Sequence, residues 1–223
     1  MKIPALDNRL LLALLLPLLL LVLLLALQVG PVDIQIIKAI DDFLADKLSI
    51  ESLILFDIRL PRALLALAIG ATLGLAGAAL QGLLRNPLAE PGIIGVSNGA
   101  ALGAVLVFYY GLAGLAWFVL PLAGLLGALL AVVVIFLLVG QSRSIITLIL
   151  AGVAINAIGG ALIALALNFA ASPYAMQEIL FWLLGSVANR SINDLAIALP
   201  FMLLGWGMML YCGRFLNALT LGE

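Results

Sequence analysis

Long uncharged apolar runs alternate with short charged segments along this 223-residue chain. After Lys2, Asp7 and Arg9, residues 10–32 carry no charge, and 10–27 is mostly leucine. Residues 63–84, 91–142 and 144–177 are also free of charged side chains. A helix needs about 20 predominantly apolar residues to cross the hydrocarbon core of a bilayer. The pattern therefore predicts an all-α, polytopic transmembrane helical bundle.

Six crossings are predicted from these runs. The uncharged stretch 91–142 is too long for one helix and suits two, with a break near Gly111, Gly114 and Pro121. The spans are 10–27, 63–84, two within 91–142, 145–170 and 195–213. The step Ser172-Pro173 is expected to end the fifth span, because proline cannot continue a helix. Residues 179–188 are apolar but short, which favours a re-entrant or interfacial piece.

The first apolar run has a rival interpretation as a signal peptide. A signal peptide has an apolar core of about 7–15 residues followed by a cleavage site of small residues. Here the run is longer and ends in Ala26-Leu27-Gln28, which favours a retained helix.

Residues 33–50 combine charged and apolar positions. The apolar residues fall close to helical spacing, at Ile36, Ile37, Ile40, Phe43, Leu44 and Leu48. This spacing predicts an amphipathic helix at the outer membrane surface. A simple surface connector is the alternative.

Small residues recur four apart in two places, at Gly70, Gly74, Ala78 and Gly82 and again at Gly95, Gly99 and Gly103. Such stripes let helices approach closely in lipid, where packing replaces the hydrophobic effect. Between them lies the turn 85–92, whose two prolines interrupt the helix.

Composition excludes several classes of protein. The chain is 66% hydrophobic and 9% charged, with a mean hydropathy of +1.33, so it is not a soluble domain. It has no histidine and a single cysteine, Cys212, and therefore neither an internal disulfide nor a Cys/His metal site. We also find no Walker A loop and no pair of carboxylates within a span, so no enzymatic activity and no cofactor are predicted. The ten basic residues divide equally between the two sides and leave the orientation open.

Four amide side chains lie in apolar runs: Gln81, Asn98, Asn156 and Asn168. Each either bonds neighbouring helices together or lines a polar pathway. Gln81 and Asn98 are the stronger pathway candidates because they flank glycine-rich, proline-broken segments, with Asn156 beside them as a third.

Several motifs resemble those of one transporter family. They are RLPR at 59–62, RNPLAEPGIIGVSNGA at 85–100, LAGV at 150–153, FWLLG at 181–185 and NALTLGE at 217–223. Together they resemble the FecCD-type permeases, the membrane subunits of ABC importers for iron-siderophores, haem and cobalamin. The resemblance runs from about residue 55 to the end.

This resemblance implies one permease domain over residues 1–223, equivalent to the N-terminal two-thirds of a ten-helix subunit. It also implies a multi-pass location in the bacterial cytoplasmic membrane. The implied partners are a second permease copy, cytoplasmic ATPase subunits and a periplasmic or lipid-anchored binding protein. The expected cargo is an iron-siderophore, with haem or cobalamin as related chelates.

Site residues follow from the same resemblance. Arg59 and Arg62 are expected to dock the binding protein, with helix anchoring by snorkelling as the plain alternative. Asn86, Leu88 and Ser144 match the cytoplasmic gate. The ATPase-coupling segment is expected to begin at Leu219, Leu221, Gly222 and Glu223.

Two alternatives from other classes stay open. One is an ion-coupled secondary transporter, which also uses broken helices. The other is a non-transporting, truncated remnant that packs against helices without forming a pathway.

Overall fold

The computed structural model describes residues 7–141, 144–170 and 172–221. Within these residues the chain is helical and contains no β-strand. The helices are α1 (Asn8–Gln28), α2 (Ile36–Leu44), α3 (Ile50–Leu53), α4 (Leu60–Leu84), α5 (Val96–Tyr109), α6 (Val119–Val139), α7 (Ile145–Asn168), α8 (Pro173–Leu183) and α9 (Ile192–Leu221). A π-helical segment, Ile54–Arg59, joins α3 to α4, and short 3-10 turns cover Pro91–Ile94 and Leu112–Gly114.

Five helices among the described residues are long and apolar enough to cross a membrane, where six were predicted. They are Arg9–Gln28, Ile50–Leu84, Val119–Val139, Ile145–Asn168 and Ile192–Leu216. The predicted third span is the 14-residue helix α5, which is about 21 Å long against a hydrocarbon core of about 30 Å. It is short because Gly95 and Gly111, both with positive φ, end the helical path on either side.

The second span begins earlier than predicted. It runs as one continuous helix from Ile50, where Ser49 provides an N-terminal capping box with Ser52. The predicted start at residue 63 was wrong because charged residues in the first turns concealed the helix. Pro61 is tolerated because the wider π turn before it leaves room for a ring that a regular α-helix would exclude.

The described residues form two compact units, and the first comprises residues 7–68 with 187–196. Here α2 packs against the start of the second span through Ala39 and a stack of Phe43 on Phe56, with ring centroids 4.0 Å apart. Lys38 donates a hydrogen bond of 2.7 Å to the Glu51 carboxylate. This bond, together with the negative charge of Glu51, raises the pKa of Lys38.

The second unit comprises residues 69–186 with 197–221. Its centre is α5, which packs against α6, α7 and α8. Val105 of α5, Ile163 of α7 and Ile179 of α8 form the buried apolar cluster. The short helix α5 is therefore the core of this unit, because its neighbours cover it on several sides.

The region around residue 172 differs from its prediction in one respect. Helix α7 ends at Asn168, and Ser172 caps the beginning of α8 by accepting a hydrogen bond of 3.1 Å from the Ala175 amide. The Ser172-Pro173 step thus starts a helix, as Pro at the first helical position does. At 11 residues α8 is below spanning length, and it overlaps the predicted short piece, 179–188, only over residues 179–183.

Candidate translocation and docking sites

Glycines bring α5 and α6 into backbone contact. A Cβ atom on Gly99 would lie 2.6 Å from the carbonyl oxygen of Gly127, so no side chain fits there. A Cβ atom on Gly103 would lie even closer to the Ala123 carbonyl oxygen, and one on Gly127 even closer to the Gly99 carbonyl oxygen. Of the predicted small-residue stripe, Gly99 and Gly103 are therefore confirmed as a close contact between α5 and α6.

The other face of α5 approaches α7 in the same manner. Gly95 has φ 78°, and a Cβ there would meet the Asn156 amide nitrogen at 2.7 Å. On α7, a Cβ on Gly159 would lie 3.0 Å from the Cβ of Asn98. Only glycine satisfies the conformation and the space at residue 95. Helix α5 is thus held between two helices at glycine positions where a larger side chain would not fit.

Two of the predicted pathway residues meet in this packed region. The Asn98 side-chain amide donates to the Asn156 side-chain oxygen at 2.7 Å and to the Asn156 carbonyl at 3.0 Å. Both side chains are partly buried between α5 and α7. Their amides therefore bond the two helices, which is the plain alternative that the sequence left open.

The third pathway candidate, Gln81, is exposed near the end of α4. Its side-chain nitrogen lies 3.5 Å from the Ala89 carbonyl, at the outer limit of a hydrogen bond. The contacts of Gln81 are thus separate from those of the Asn98–Asn156 pair. Gln81 instead faces the turn that follows its own helix.

The predicted gate residues lie at helix ends. Asn86 accepts a hydrogen bond of 2.9 Å from the Leu88 amide, which folds the turn after α4, and the Leu88 side chain is 83% exposed. Ser144 caps the start of α7, and its hydroxyl accepts from the Thr147 amide at 3.4 Å. These residues therefore order two turns of the second unit.

Arg59 has partners inside its own unit. Its guanidinium donates to the carbonyls of Leu27 at 2.8 Å and Gln28 at 2.6 Å, and also to the carbonyl of Val32. The residue is only 7% exposed. The resemblance predicted that Arg59 contacts the binding protein and gave no indication of these bonds within the chain.

Arg62, one turn further along the helix, has a different environment. Its side chain is half-buried, and its Nε is buried without a hydrogen-bond partner among the described residues. A buried donor without a partner costs free energy, which an acceptor from outside would recover.

The predicted coupling residues lie at the limit of the described chain. Leu219 and Leu221 belong to the last turn of α9, where the structure describes the backbone but not the side chains. Gly222 and Glu223 lie outside the described residues.

Sequence reasoning missed two features of the second unit. One is the α6 stripe at Ala123, Gly127 and Ala131, whose four-residue spacing could have paired it with the stripe on α5. The other is a hydrogen bond of 2.9 Å from the Trp206 indole to the Thr72 hydroxyl. On the α4 stripe, no other helix of the described residues comes within 4 Å of the Cβ position at Gly70 or Gly74, so the close approach predicted there is not seen within this part of the chain.

A helical bundle with several apolar spans and glycine-packed helices defines a multi-pass integral membrane protein. Its fold matches a solved ABC permease, described as a metal-chelate type ABC transporter in an inward-facing conformation, with a TM-score of 0.78 and 30% identity. The match covers 97% of this chain and 65% of the solved one. The chain belongs to the FecCD transport family, whose sequence model matches residues 18–223.

Curated relatives agree with this family. The chain is 45% identical over 175 residues to YvrB of Bacillus subtilis, an uncharacterized ABC transporter permease, covering 76% of this chain and 49% of YvrB. It is 34% identical to FhuG of Bacillus subtilis, an iron(3+)-hydroxamate import permease, covering 89% of this chain and 61% of FhuG. It is 38% identical to the vitamin B12 import permease BtuC of Salmonella paratyphi A, covering 77% of this chain and 52% of BtuC. The chain therefore spans about half the length of the curated relatives it matches.

Proposed function

We propose that this chain is a membrane-spanning subunit of an ATP-driven importer in a bacterial cytoplasmic membrane. The proposed cargo is a metal chelate, in the first place an iron-siderophore. The single observation that carries this proposal is the similarity over 97% of the chain to a metal-chelate type ABC transporter. The relative named for iron-hydroxamate import supports the choice of cargo, whereas the one named for vitamin B12 keeps a corrinoid as the second candidate.

Energy for transport would come from partner subunits. The sequence contains no glycine-rich loop ending in Gly-Lys-Ser or Gly-Lys-Thr, with which an ATPase cradles phosphates. The proposed assembly therefore includes two cytoplasmic ATPase subunits, a second permease copy and an external binding protein. The proposed coupling contact is the end of α9 with Leu219, Leu221, Gly222 and Glu223.

Alternating access needs helices that move as bodies around a pathway. The packing of α5 between α6 and α7 supports the view that these three helices move together, because their backbones touch. Among the three pathway candidates we propose Gln81, the exposed one, as the main pathway residue. Asn98 and Asn156 would border the pathway only from the positions in which they bond α5 to α7. The proposed cytoplasmic gate comprises the turn at Asn86 and Leu88 with the start of α7 at Ser144.

Purification and transport assays test this function. The chain is purified from its native membrane in mild detergent, and copurifying subunits are identified by mass spectrometry. We expect an ATPase with a Walker A motif, and ATP-dependent uptake of ferric hydroxamate after reconstitution into liposomes. Uptake that needs no ATP and collapses with an ionophore would instead indicate an ion-coupled carrier. Recovery of the chain alone, without an ATPase, would indicate a non-transporting remnant.

We further propose that α2 rests at the outer membrane interface. Its inner side is buried at Ala39. Ile37 and Leu44, which lie about 140–160° around the helix from Ala39 at 100° per residue, are 78% and 77% exposed. The segment connects two helices of spanning length, so that these apolar side chains lie close to the bilayer boundary.

Spin labels at two residues of α2 check this placement. In a Cys212→Ser background, a nitroxide at Leu44→Cys is expected to be more accessible to oxygen than to a water-soluble nickel relaxant. The matched control is Asp42→Cys, which lies about 160° around the helix from Leu44 at 100° per residue and should show the opposite preference. Equal accessibility to the nickel reagent at both residues would favour a simple surface connector.

A further inference from the structure

We propose that Arg59 is a positioning residue that fastens the C-terminal end of α1 to the π-helical segment. In this view the binding protein docks on Arg62, and Arg59 acts on docking through the position of the chain around it. The docking part rests on the proposed function, whereas the fastening itself does not.

The hydrogen bonds of Arg59 reach carbonyls that need a donor. The last four carbonyl groups of a helix have no partner within the helix, and Leu27 and Gln28 occupy the last two positions of α1. Nη1 of Arg59 donates hydrogen bonds to both carbonyl oxygens, at 2.8 Å to Leu27 and 2.6 Å to Gln28. Nη2 binds the carbonyl of Val32, beyond the end of the helix. One guanidinium thus bonds both ends of the segment that runs from the last turn of α1 to residue 32.

Charge adds to these hydrogen bonds. The C-terminal end of a helix carries a partial negative charge, which a cation within the last turn stabilises. A buried charge is tolerated when it is hydrogen-bonded, and Arg59 meets this condition through three carbonyls. Among the ion pairs of the described residues, none includes Arg59, so its charge is balanced by these backbone dipoles.

Gly30 lies against the Arg59 guanidinium and leaves it room beside the link between α1 and residue 32. A Cβ on Gly30 would lie 2.7 Å from Nη2 and 3.0 Å from the central carbon of the Arg59 guanidinium. The absence of a side chain at residue 30 therefore lets the planar group lie against the link. A lysine ammonium could not replace it, since a point charge lacks the fork that reaches several carbonyls at once.

The spacing from Arg59 to Arg62 explains how the clamp would affect docking. Residues three apart lie on one face of a helix, so Arg62 is the helical neighbour of Arg59, and a shift of the segment that Arg59 holds would also shift the surroundings of Arg62. Arg59 has engaged its terminal nitrogens, whereas Arg62 keeps a buried Nε without a partner among the described residues. The two arginines of one motif therefore have different tasks.

Hydrogen exchange tests the clamp without any partner protein. The purified chain in lipid nanodiscs is compared with Arg59→Lys, Gly30→Ala and, as the matched control, Arg62→Lys. We expect amide exchange across residues 25–32 to rise about tenfold or more in the first two variants, because local opening becomes easier. The control should exchange like the wild type. Wild-type exchange in Arg59→Lys would overturn the proposal.

A second readout separates the clamp from a direct ion pair. Affinity for the copurifying binding protein is measured at low and high salt, and Arg59→Lys is expected to weaken it by a similar factor at both. A direct ion pair at an exposed site would instead be screened, and its loss would matter mainly at low salt. Docking in Arg59→Lys that equals the wild type at both salt concentrations, with faster exchange across 25–32, would overturn the positioning role and leave the clamp purely structural.

Discussion

Gly127→Ala is expected to destabilise the protein strongly, although it adds only one methyl group. The new Cβ would collide with the Gly99 carbonyl, and a backbone atom cannot rotate away as a side chain does. Helices α5 and α6 would have to separate, which costs about 1–3 kcal/mol in an overpacked core. A lower midpoint of thermal unfolding in detergent, followed by circular dichroism, is the expected result. Gly103→Ala should behave in the same way, since its Cβ would meet the Ala123 carbonyl.

The same helix offers a matched control. At Gly124 the nearest atom to an added Cβ is the Ala100 carbonyl oxygen at 3.8 Å, which is ordinary contact distance. Gly124→Ala is therefore expected to leave the midpoint unchanged or to raise it slightly, because alanine favours helix. Equal midpoints for Gly127→Ala and Gly124→Ala would show that α5 and α6 do not depend on backbone contact.

The sequence was sufficient to identify the long spans, because an uncharged run of about 20 residues has few other uses. It also identified the glycine stripe on α5, since the four-residue spacing of Gly99 and Gly103 puts both against α6, whereas Gly95 faces α7. The length of α5 was not predictable in the same manner. Charge gaps do not reveal where a positive-φ glycine ends a helix inside an apolar run.

Contacts to the backbone were beyond the reach of sequence reasoning. Arg59 binds carbonyl oxygens, which every residue possesses and which no motif distinguishes. The pairing of Asn98 with Asn156 likewise depends on the register between α5 and α7, which glycine packing sets. The family resemblance predicted a docking role for Arg59, and the amides within apolar runs predicted a pathway role for Asn98 and Asn156. Only the structure gives the contacts within the chain that compete with those roles.

Arg62→Glu is expected to weaken docking of the binding protein about tenfold or more. Breaking a buried, hydrogen-bonded charge pair typically costs about 2–5 kcal/mol of binding free energy. The Arg62 side chain is half-buried, and an acceptor on the partner would satisfy its Nε. Affinity is measured by surface plasmon resonance with the assembled transporter in nanodiscs. The effect should appear mainly as faster dissociation, since losing a buried charge pair changes the off-rate.

Lys47→Glu provides the control for this charge reversal. Lys47 is exposed, lies on the predicted outer side and undergoes the same change of charge. Its variant therefore measures the long-range effect of the charge change on docking, without the loss of a specific contact. We expect Lys47→Glu to alter mainly the association rate, and only at low salt. Reversing an acidic residue on the binding protein should restore affinity in Arg62→Glu but not in Lys47→Glu. Unchanged affinity in Arg62→Glu would remove the docking role from this residue, while the clamp at Arg59 would still stand on its hydrogen bonds.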